Sequence, residues 1–374
     1  MKRVLISLAA AGALLGQLGA AEIYKDGDKS FGVFGVANAV LGYGYNDSNK
    51  KGSNGEFIAG IQGNSRIGIN FTLGKLFGAA LIGVGESTLY GAGGNTGFRQ
   101  FYAGYDFGDA GKLLAGKNEL VTSMGGFSSS IFNTEGGLNG FGGASTSTRR
   151  LQIAYSVAGL TFSISENDFG GRTLAGSGYE VPRFSLGYEY KDESIRAKVA
   201  VSYGYKRVLT TSTGSNPADS TKNAVLVTAG VRPVFGDQYV SALLTYGYNA
   251  EKLGELQLAT PSLGEGWHQS LNVQSSTRGG DNTNIAAAML EYGVNLNTDL
   301  AFKVGVGYQY AKVRNEAENR HSYAAFVQLP YKVGGGFSII PQVGYLGNSV
   351  VPTDATASTN THDVLAEVLF KLAF

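Results

Sequence analysis

Two arginines, Arg66 and Arg150, lie in segments where apolar and polar residues alternate. In residues 56–72 the odd positions are mainly apolar, and Arg66 belongs to the polar even row. Arg150 alternates in the same way with an apolar row that begins at Leu151. A guanidinium group stays charged at every relevant pH and attracts anions. We therefore expect both side chains to face water from a sheet whose other face is apolar.

Catalytic chemistry finds little support in the sequence. The histidines His268, His321 and His362 lack the spacing of metal ligands, and the chain contains no cysteine. There is no nucleophile motif and no phosphate-binding glycine loop followed by a helix. Lone Trp267, beside His268, is interpreted as a loop anchor. We therefore predict no enzyme activity, no cofactor and no metal. The balance of 30 Lys and Arg against 29 Asp and Glu also argues against nucleic-acid binding.

The first residues predict export. Lys2 and Arg3 precede the mostly apolar run 4–15, and small residues follow at 19–21. This order is typical of a secretory signal peptide, and the run is shorter than the roughly 20 residues that a membrane-spanning helix needs. We predict a signal peptide over residues 1–20, with cleavage after Ala20 or Ala21. Residues 21–374 then form one domain.

The alternation recurs along the chain and predicts the elements that position the arginines. Residues Val364–Phe374 show it most clearly, because every even position is apolar and the segment ends on an aromatic residue. A period of two indicates β-strands with one apolar face. Sixteen strands are predicted at 30–45, 56–72, 76–86, 98–107, 111–118, 149–157, 160–166, 183–190, 195–205, 223–232, 238–248, 284–293, 300–312, 321–331, 337–346 and 362–374.

The links between these strands alternate between short and long. The short ones are Phe71–Leu76, Phe107–Lys112, Val157–Leu160, Tyr190–Ile195, Arg232–Gln238, Gly293–Leu300 and Tyr331–Phe337. The long ones are 46–55, 87–97, 119–148, 167–182, 206–222, 249–283, 313–320 and 347–361. Alternation places all the short links at one end of an antiparallel sheet and all the long links at the other.

A membrane gives this pattern a physical reason. In hydrocarbon every backbone N–H and C=O must be paired within the protein, and a sheet achieves this only by closing on itself. We therefore predict an all-β fold: a 16-stranded antiparallel transmembrane β-barrel with short periplasmic turns and long extracellular loops. A ring of this size encloses a water-filled lumen rather than a packed core.

Several short blocks carry a resemblance to a known family. They are AEIYKDGDKSFGVFGVANAVLGYGY from Ala21, Ser65–Ile69, Phe98–Gly104 and the strand pair Arg150–Ser165, which turns at Ala158-Gly159. These blocks resemble the general porins, the trimeric diffusion channels of Gram-negative outer membranes. The resemblance implies a homotrimer in the outer membrane, in contact with lipid and lipopolysaccharide. It also implies that the outer-membrane assembly machinery reads the terminal aromatic strand, with Phe374, Leu372 and Phe370 as the signal.

The resemblance further implies a constricted pore. In general porins the third long loop folds inward, and its carboxylates face arginines on the wall. Here that loop is 119–148, with Glu135 and Glu119 on the acidic side. The basic side is Arg66, Arg99, Arg150 and Arg149, although the parity of Arg99 is ambiguous and Arg149 lies at a strand edge. Each arginine can alternatively be a rim charge. The chain departs from the family at Val36, where many members have a basic residue, and at Thr134-Glu135-Gly136-Gly137, which replaces the usual loop motif.

The expected function is a water-filled channel for passive diffusion of ions and small hydrophilic solutes. With one or two carboxylates against about three arginines, we expect a weak anion preference. Three alternatives stay open on the sequence. One is a channel selective for a sugar or nucleoside, the second is a non-conducting adhesive or structural barrel, and the third is a large exported β-sandwich.

Overall fold

Strands dominate the computed structural model, which describes residues 21–48, 52–62, 65–84, 97–129, 149–166, 179–208, 220–250, 282–313, 318–352 and 359–374. The first strands are β1 (Ala21–Asp26), β2 (Lys29–Ser48), β3 (Gly52–Ile61), β4 (Arg66–Leu73), β5 (Leu76–Gly83), β6 (Gly97–Asp106), β7 (Lys112–Glu119), β8 (Arg149–Val157) and β9 (Leu160–Ser165). The others are β10 (Tyr179–Lys191), β11 (Ile195–Val208), β12 (Ser220–Phe235), β13 (Gln238–Tyr248), β14 (Thr283–Asn295), β15 (Ala301–Val313), β16 (Glu318–Gln328), β17 (Tyr331–Gly334), β18 (Phe337–Pro352) and β19 (Thr359–Ala373). A 3-10 turn at Gly108–Ala110 joins β6 to β7.

Antiparallel pairing closes these strands into a ring. Every strand from β4 to β15 pairs with the next, β16 pairs with β18, β18 with β19, and β19 with β2. Strands β3 and β4 follow each other along one side of β2, and β16 and β17 do the same along β18. Strand β1 is a short addition beside the start of β2. The ring therefore has sixteen positions, as predicted.

The two faces of the ring follow the sequence pattern. On β11, Val199, Val201 and Tyr203 are exposed on the outer face, whereas Ala200 and Ser202 are buried on the inner face. On β19 the even row is the outer one, whereas Leu365, Glu367 and Leu369 of the odd row are buried. The predicted parity of these strands is confirmed.

The short links lie where the sequence predicts them. Gly74–Lys75, Ala158–Gly159 and Gly236–Asp237 form tight turns. Ala158 and Gly159 both have positive φ, 50° and 86°, which suits a two-residue hairpin whose twist matches that of its strands. No helix among the residues given above is long and apolar enough to cross a membrane. The predicted signal peptide lies outside the described residues.

Several predicted strand boundaries are wrong. The long links 46–55 and 313–320 shrink to 49–51 and 314–317, because β2, β3, β15 and β16 run on and pair through polar residues. The strand 56–72 divides into β3 and β4. There, Ile61 pairs with Ala39 and Arg66 with Val36, so β2 has two residues between these pairs where the other chain segment has four.

Candidate functional site

A segment of the third long link, Leu120–Ser129, lies inside the ring; we call it the third-loop limb. Backbone carbonyls along it accept hydrogen bonds from side chains on β11, β12, β13 and β16. These bonds are Lys198 Nζ to Ser123 O (2.6 Å), Arg196 Nη1 to Gly125 O (2.9 Å), Thr228 Oγ1 to Thr122 O (3.5 Å), Ser241 Oγ to Phe127 O (2.6 Å) and Gln328 Nε2 to Ser129 O (3.1 Å). The limb therefore follows the inner wall from β11 to β16, and the predicted inward fold of the third loop is confirmed for these residues.

Apolar contacts hold the same limb. Met124 and Phe127 are fully buried in a cluster with Leu243, Met289 and Phe326, whose side chains belong to the inner face. The guanidinium of Arg196 lies 4.6 Å from the centre of the Phe127 ring. Burying side chains of this size stabilises the limb by about 1.5–3 kcal/mol each relative to exposure. The limb therefore explains why the lumen wall carries apolar residues at the positions that it covers.

A buried carboxylate fastens the end of the limb. Glu291 on β14 accepts hydrogen bonds from the backbone N–H of Ser129 at 2.8 Å and from its Oγ at 3.0 Å. Tyr239 OH donates to the same carboxylate at 2.7 Å, and Arg232 Nη2 lies 3.7 Å away. Glu291 has no exposed surface, so these donors replace the water that its charge would otherwise bind. We call this group the Glu291 latch.

Replacing Glu291 by Gln is expected to loosen the third-loop limb. The amide keeps the shape but offers one acceptor oxygen to three donors and removes the charge opposite Arg232. Breaking a buried pair in this way costs roughly 3–5 kcal/mol. We expect a noisier open-channel current and faster proteolysis within the limb, measured on the purified protein in bilayers and in detergent. Glu193→Gln, at an exposed turn, is the control. Identical noise and proteolysis in the two variants would contradict a latch.

Three of the predicted arginines meet one predicted carboxylate on the opposite wall, formed by β4, β6, β7 and β8. Glu119 pairs with Arg149 in the register of β7 and β8, and Arg149 Nη2 lies 3.2 Å from Glu119 Oε1. Arg66, Arg149 and Glu119 are each close enough to Arg99 for their charges to interact with its guanidinium group. Glu119 is the last residue of β7 and so belongs to the wall rather than to the loop. With three guanidinium groups and one carboxylate, this arginine cluster carries net positive charge.

Irregular strand pairing sets the direction of two of these side chains. Leu81 pairs with Gln100 and Ile82 with Phe98, so Arg99 is the extra residue of a β-bulge between β5 and β6. Arg99 and Gln100 are therefore both buried on the inner side. The extra residues at 62–65 immediately precede Arg66. Bulges redirect side chains in this way beside functional sites. The ambiguous parity of Arg99 is thereby resolved in favour of the lumen.

The remaining predicted residues separate into three groups. Arg150 follows Arg149 on β8, shares the inner row with Gln152 and pairs in register with Asn118. Arg196 and Lys198 lie on the inner row of β11 and hold the third-loop limb, and Arg196 also pairs with Glu189 at 2.8 Å. Glu135 lies outside the described residues, so its place opposite the arginines stays a prediction.

Neither histidine in the described part of the chain faces the lumen. His321 and His362 lie on the outer face, and their Nδ1 atoms are 2.7 and 2.6 Å from the hydroxyls of Tyr308 and Tyr345. Within those same residues no group of three His, Asp or Glu side chains is placed to hold a metal ion. His268 and Trp267 lie outside them.

Sequence reasoning did not single out several charged residues of the inner wall as parts of the site. They include Arg183, Glu189, Arg232, Glu291, Lys303 and Lys371. For Glu291 a signal existed, because it is the only charge in β14, and a lone carboxylate in an apolar strand requires a partner.

The closed ring with a loop segment inside defines the class: the fold is that of the outer-membrane porins. DcaP, an outer membrane channel of Acinetobacter baumannii, matches with a TM-score of 0.68 and 17% identity over 95% of this chain and 100% of its own. An anion-selective porin from Comamonas acidovorans matches with a TM-score of 0.57 and 15% identity, over 92% of this chain and 100% of its own. OmpF of Salmonella typhi, in complex with daunomycin, matches with a TM-score of 0.53 and 13% identity, over 94% of this chain and 100% of its own. No family model and no curated protein matches the sequence. At these identities the likeness establishes the fold.

Proposed function

We propose that this protein is a porin of a Gram-negative outer membrane, a water-filled channel for passive diffusion of ions and small hydrophilic solutes. One observation carries the proposal: the third-loop limb covers one wall of the lumen, and the charged arginine cluster lines the other. A non-conducting barrel has no need for charged side chains on a lumen wall. The lumen wall that they line would then border the path of a solute.

The charges of that path favour anions. Arg196 and Arg232 are compensated by Glu189 and Glu291, whereas three arginines of the cluster share Glu119. A channel lined by net positive charge raises the local concentration of anions. Polar solutes can orient their dipoles in the field across the lumen, but apolar solutes must displace ordered water for no gain. A weak anion preference over a broad range of solutes follows.

The assembly of the protein is proposed on the resemblance to general porins. The chain would form a homotrimer surrounded by lipid and lipopolysaccharide, after export with the signal peptide 1–20. Phe374, Leu372 and Phe370 would be read by the assembly machinery, and their shared outer row on β19 is compatible with recognition from outside the sheet. Glu135 would complete the constriction from the loop side. The site supports a channel rather than an enzyme.

Planar-bilayer recording tests the proposed function. The purified protein is expected to insert as steady conductance steps in groups of three. In a KCl gradient, the reversal potential should be displaced from zero toward the equilibrium potential of chloride. Saturable block by one sugar or nucleoside would instead indicate a selective channel. Absence of conductance from folded, heat-modifiable protein would refute the proposal.

A further inference from the structure

Tyrosines mark the outer face of the ring on the side of the long links. Three of them lie on the outer rows of β11, β13 and β15, and each donates its hydroxyl to an asparagine Oδ1 on the next strand. These hydrogen bonds are Tyr203 to Asn223 (2.7 Å), Tyr246 to Asn284 (2.9 Å) and Tyr310 to Asn319 (3.1 Å). Each asparagine stands two residues nearer the long links than the residue paired with its tyrosine. Since tyrosines lie where hydrocarbon meets lipid head groups, the asparagines reach the head-group level.

Two of these asparagines flank a lysine. Lys312 on β15 pairs in register with Asn284 of β14 on one side and with Asn319 of β16 on the other. Side chains paired in this way on one face have Cβ atoms about 4.5–5.5 Å apart, so the three residues share one patch of surface. Lys312 and Asn284 are exposed, and Asn319 is half-buried. We call these three residues the Lys312 patch.

The tyrosines orient the two amides of this patch. The Oδ1 atoms of Asn284 and Asn319 each accept a hydrogen bond from a hydroxyl nearer the membrane centre. The NH2 group of each amide is therefore turned away from that hydroxyl, toward the head-group level. The patch presents one ammonium group and two amide donors there, next to the apolar rows that face the lipid tails.

Negative charge is scarce around the patch. The acidic residues in the strands from β12 to β19 all belong to inner rows by their register; they are Glu291, Glu318, Asp363 and Glu367. The outer rows of these strands, which surround Lys312, carry none within the described ranges. A cation with two donors beside it and no carboxylate on its own face suits an oxyanion.

We propose that the Lys312 patch binds the phosphate of an anionic lipid head group in the surrounding membrane. A phosphate monoester has several charged oxygens, which can accept hydrogen bonds from the ammonium group and from both amides. Its acyl chains would lie along the apolar outer rows of β14 and β15. The proposal rests on the proposed lipid contact of the barrel and does not require conduction.

Lipid binding by the purified protein in detergent micelles tests the patch. Native mass spectrometry is expected to show that wild type binds its first dilauroyl phosphatidic acid more tightly than its first dilauroyl phosphatidylcholine. In Lys312→Gln the Kd for phosphatidic acid should rise about fivefold, since the lost contact is a partly screened ion pair. Asn319→Asp keeps an acceptor for Tyr310 but places a carboxylate beside Lys312. It should weaken phosphatidic acid binding at least as much.

The matched control is Lys117→Gln. Lys117 is also an exposed lysine on the outer face near the long links, but its neighbours in register are Phe101 and Leu151 rather than amides. Its replacement should leave the Kd for phosphatidic acid unchanged. Heat-modifiable migration checks that each variant is folded.

The outcomes separate this patch from the channel function. Equal affinity of wild type for the two lipids, or an unchanged Kd in either variant of the patch, would overturn the head-group site and leave the channel standing. An equal rise in Kd in Lys117→Gln would assign binding to general surface charge and also overturn the site. Absence of conductance from wild type would refute the channel but not the head-group site.

Discussion

Replacing Arg66 by Glu is expected to turn the channel from anion preference to cation preference. The change moves two elementary charges on a wall where, among the described residues, Glu119 is the carboxylate that opposes Arg66, Arg99 and Arg149. Two charges about 5 Å from an ion in water alter its energy by roughly 1.7 kcal/mol, which is about fifteenfold in relative permeability at low salt. The reversal potential in a KCl gradient measures this change directly.

Salt and a conservative variant make this test specific. The shift should shrink as ionic strength rises, because the screening length falls to about 3 Å at 1 M salt. Arg66→Lys keeps the charge and should keep the anion preference. A reversal potential that Arg66→Glu leaves unchanged would place Arg66 away from the path of the ions. An equal shift in Arg66→Lys would assign the effect to shape rather than charge.

Alternation of residue types was sufficient to predict the ring, because each strand meets apolar surroundings outside and polar surroundings inside. The pattern works best where the inner row is polar, as on β11 with Arg196, Lys198 and Ser202, two of which bind the third-loop limb through hydrogen bonds. It fails where the third-loop limb packs, since Met289 and Ile285 make the inner row of β14 as apolar as the outer row. The two rows then look alike, and Glu291 could not be assigned to the lumen.

The details of the site depend on features that a single strand does not carry. A bulge is a mismatch in residue count between two strands, so the inward turn of Arg99 becomes visible only when β5 and β6 are paired. The path of the third-loop limb depends on donors spread over β11 to β16, far apart in sequence. Its inward direction came from the family resemblance, whereas Arg66 and Arg150 could be assigned from parity alone.

Filling the space at Gly35 is expected to prevent closure of the barrel. Gly35 on β2 and Phe374 beside β19 exchange two backbone hydrogen bonds, at 2.8 and 3.1 Å, and the Phe374 ring covers the glycine. A Cβ added at Gly35 would lie 2.4 Å from Phe374 Cζ. Gly35→Val therefore forces the ring off the position where it supports the closing pair. Overpacking of this kind costs about 1–3 kcal/mol, at least a fivefold fall in the ratio of folded to unfolded protein. The heat-modifiable fraction after refolding in detergent measures it.

The partner variant separates packing from recognition by the assembly machinery. Phe374→Ala in a Gly35→Ala background removes the clash, so it should refold in detergent better than Gly35→Ala alone. Ala39→Val, on the same outer row of β2, adds bulk at an exposed position and should refold normally. If the role of Phe374 is only to pack on Gly35, the double variant will also accumulate in cell envelopes. If the aromatic ring is itself read during assembly, the double variant will refold in detergent yet be lost from the outer membrane. Normal refolding of Gly35→Val would show instead that the contact between ring and glycine contributes nothing to closure.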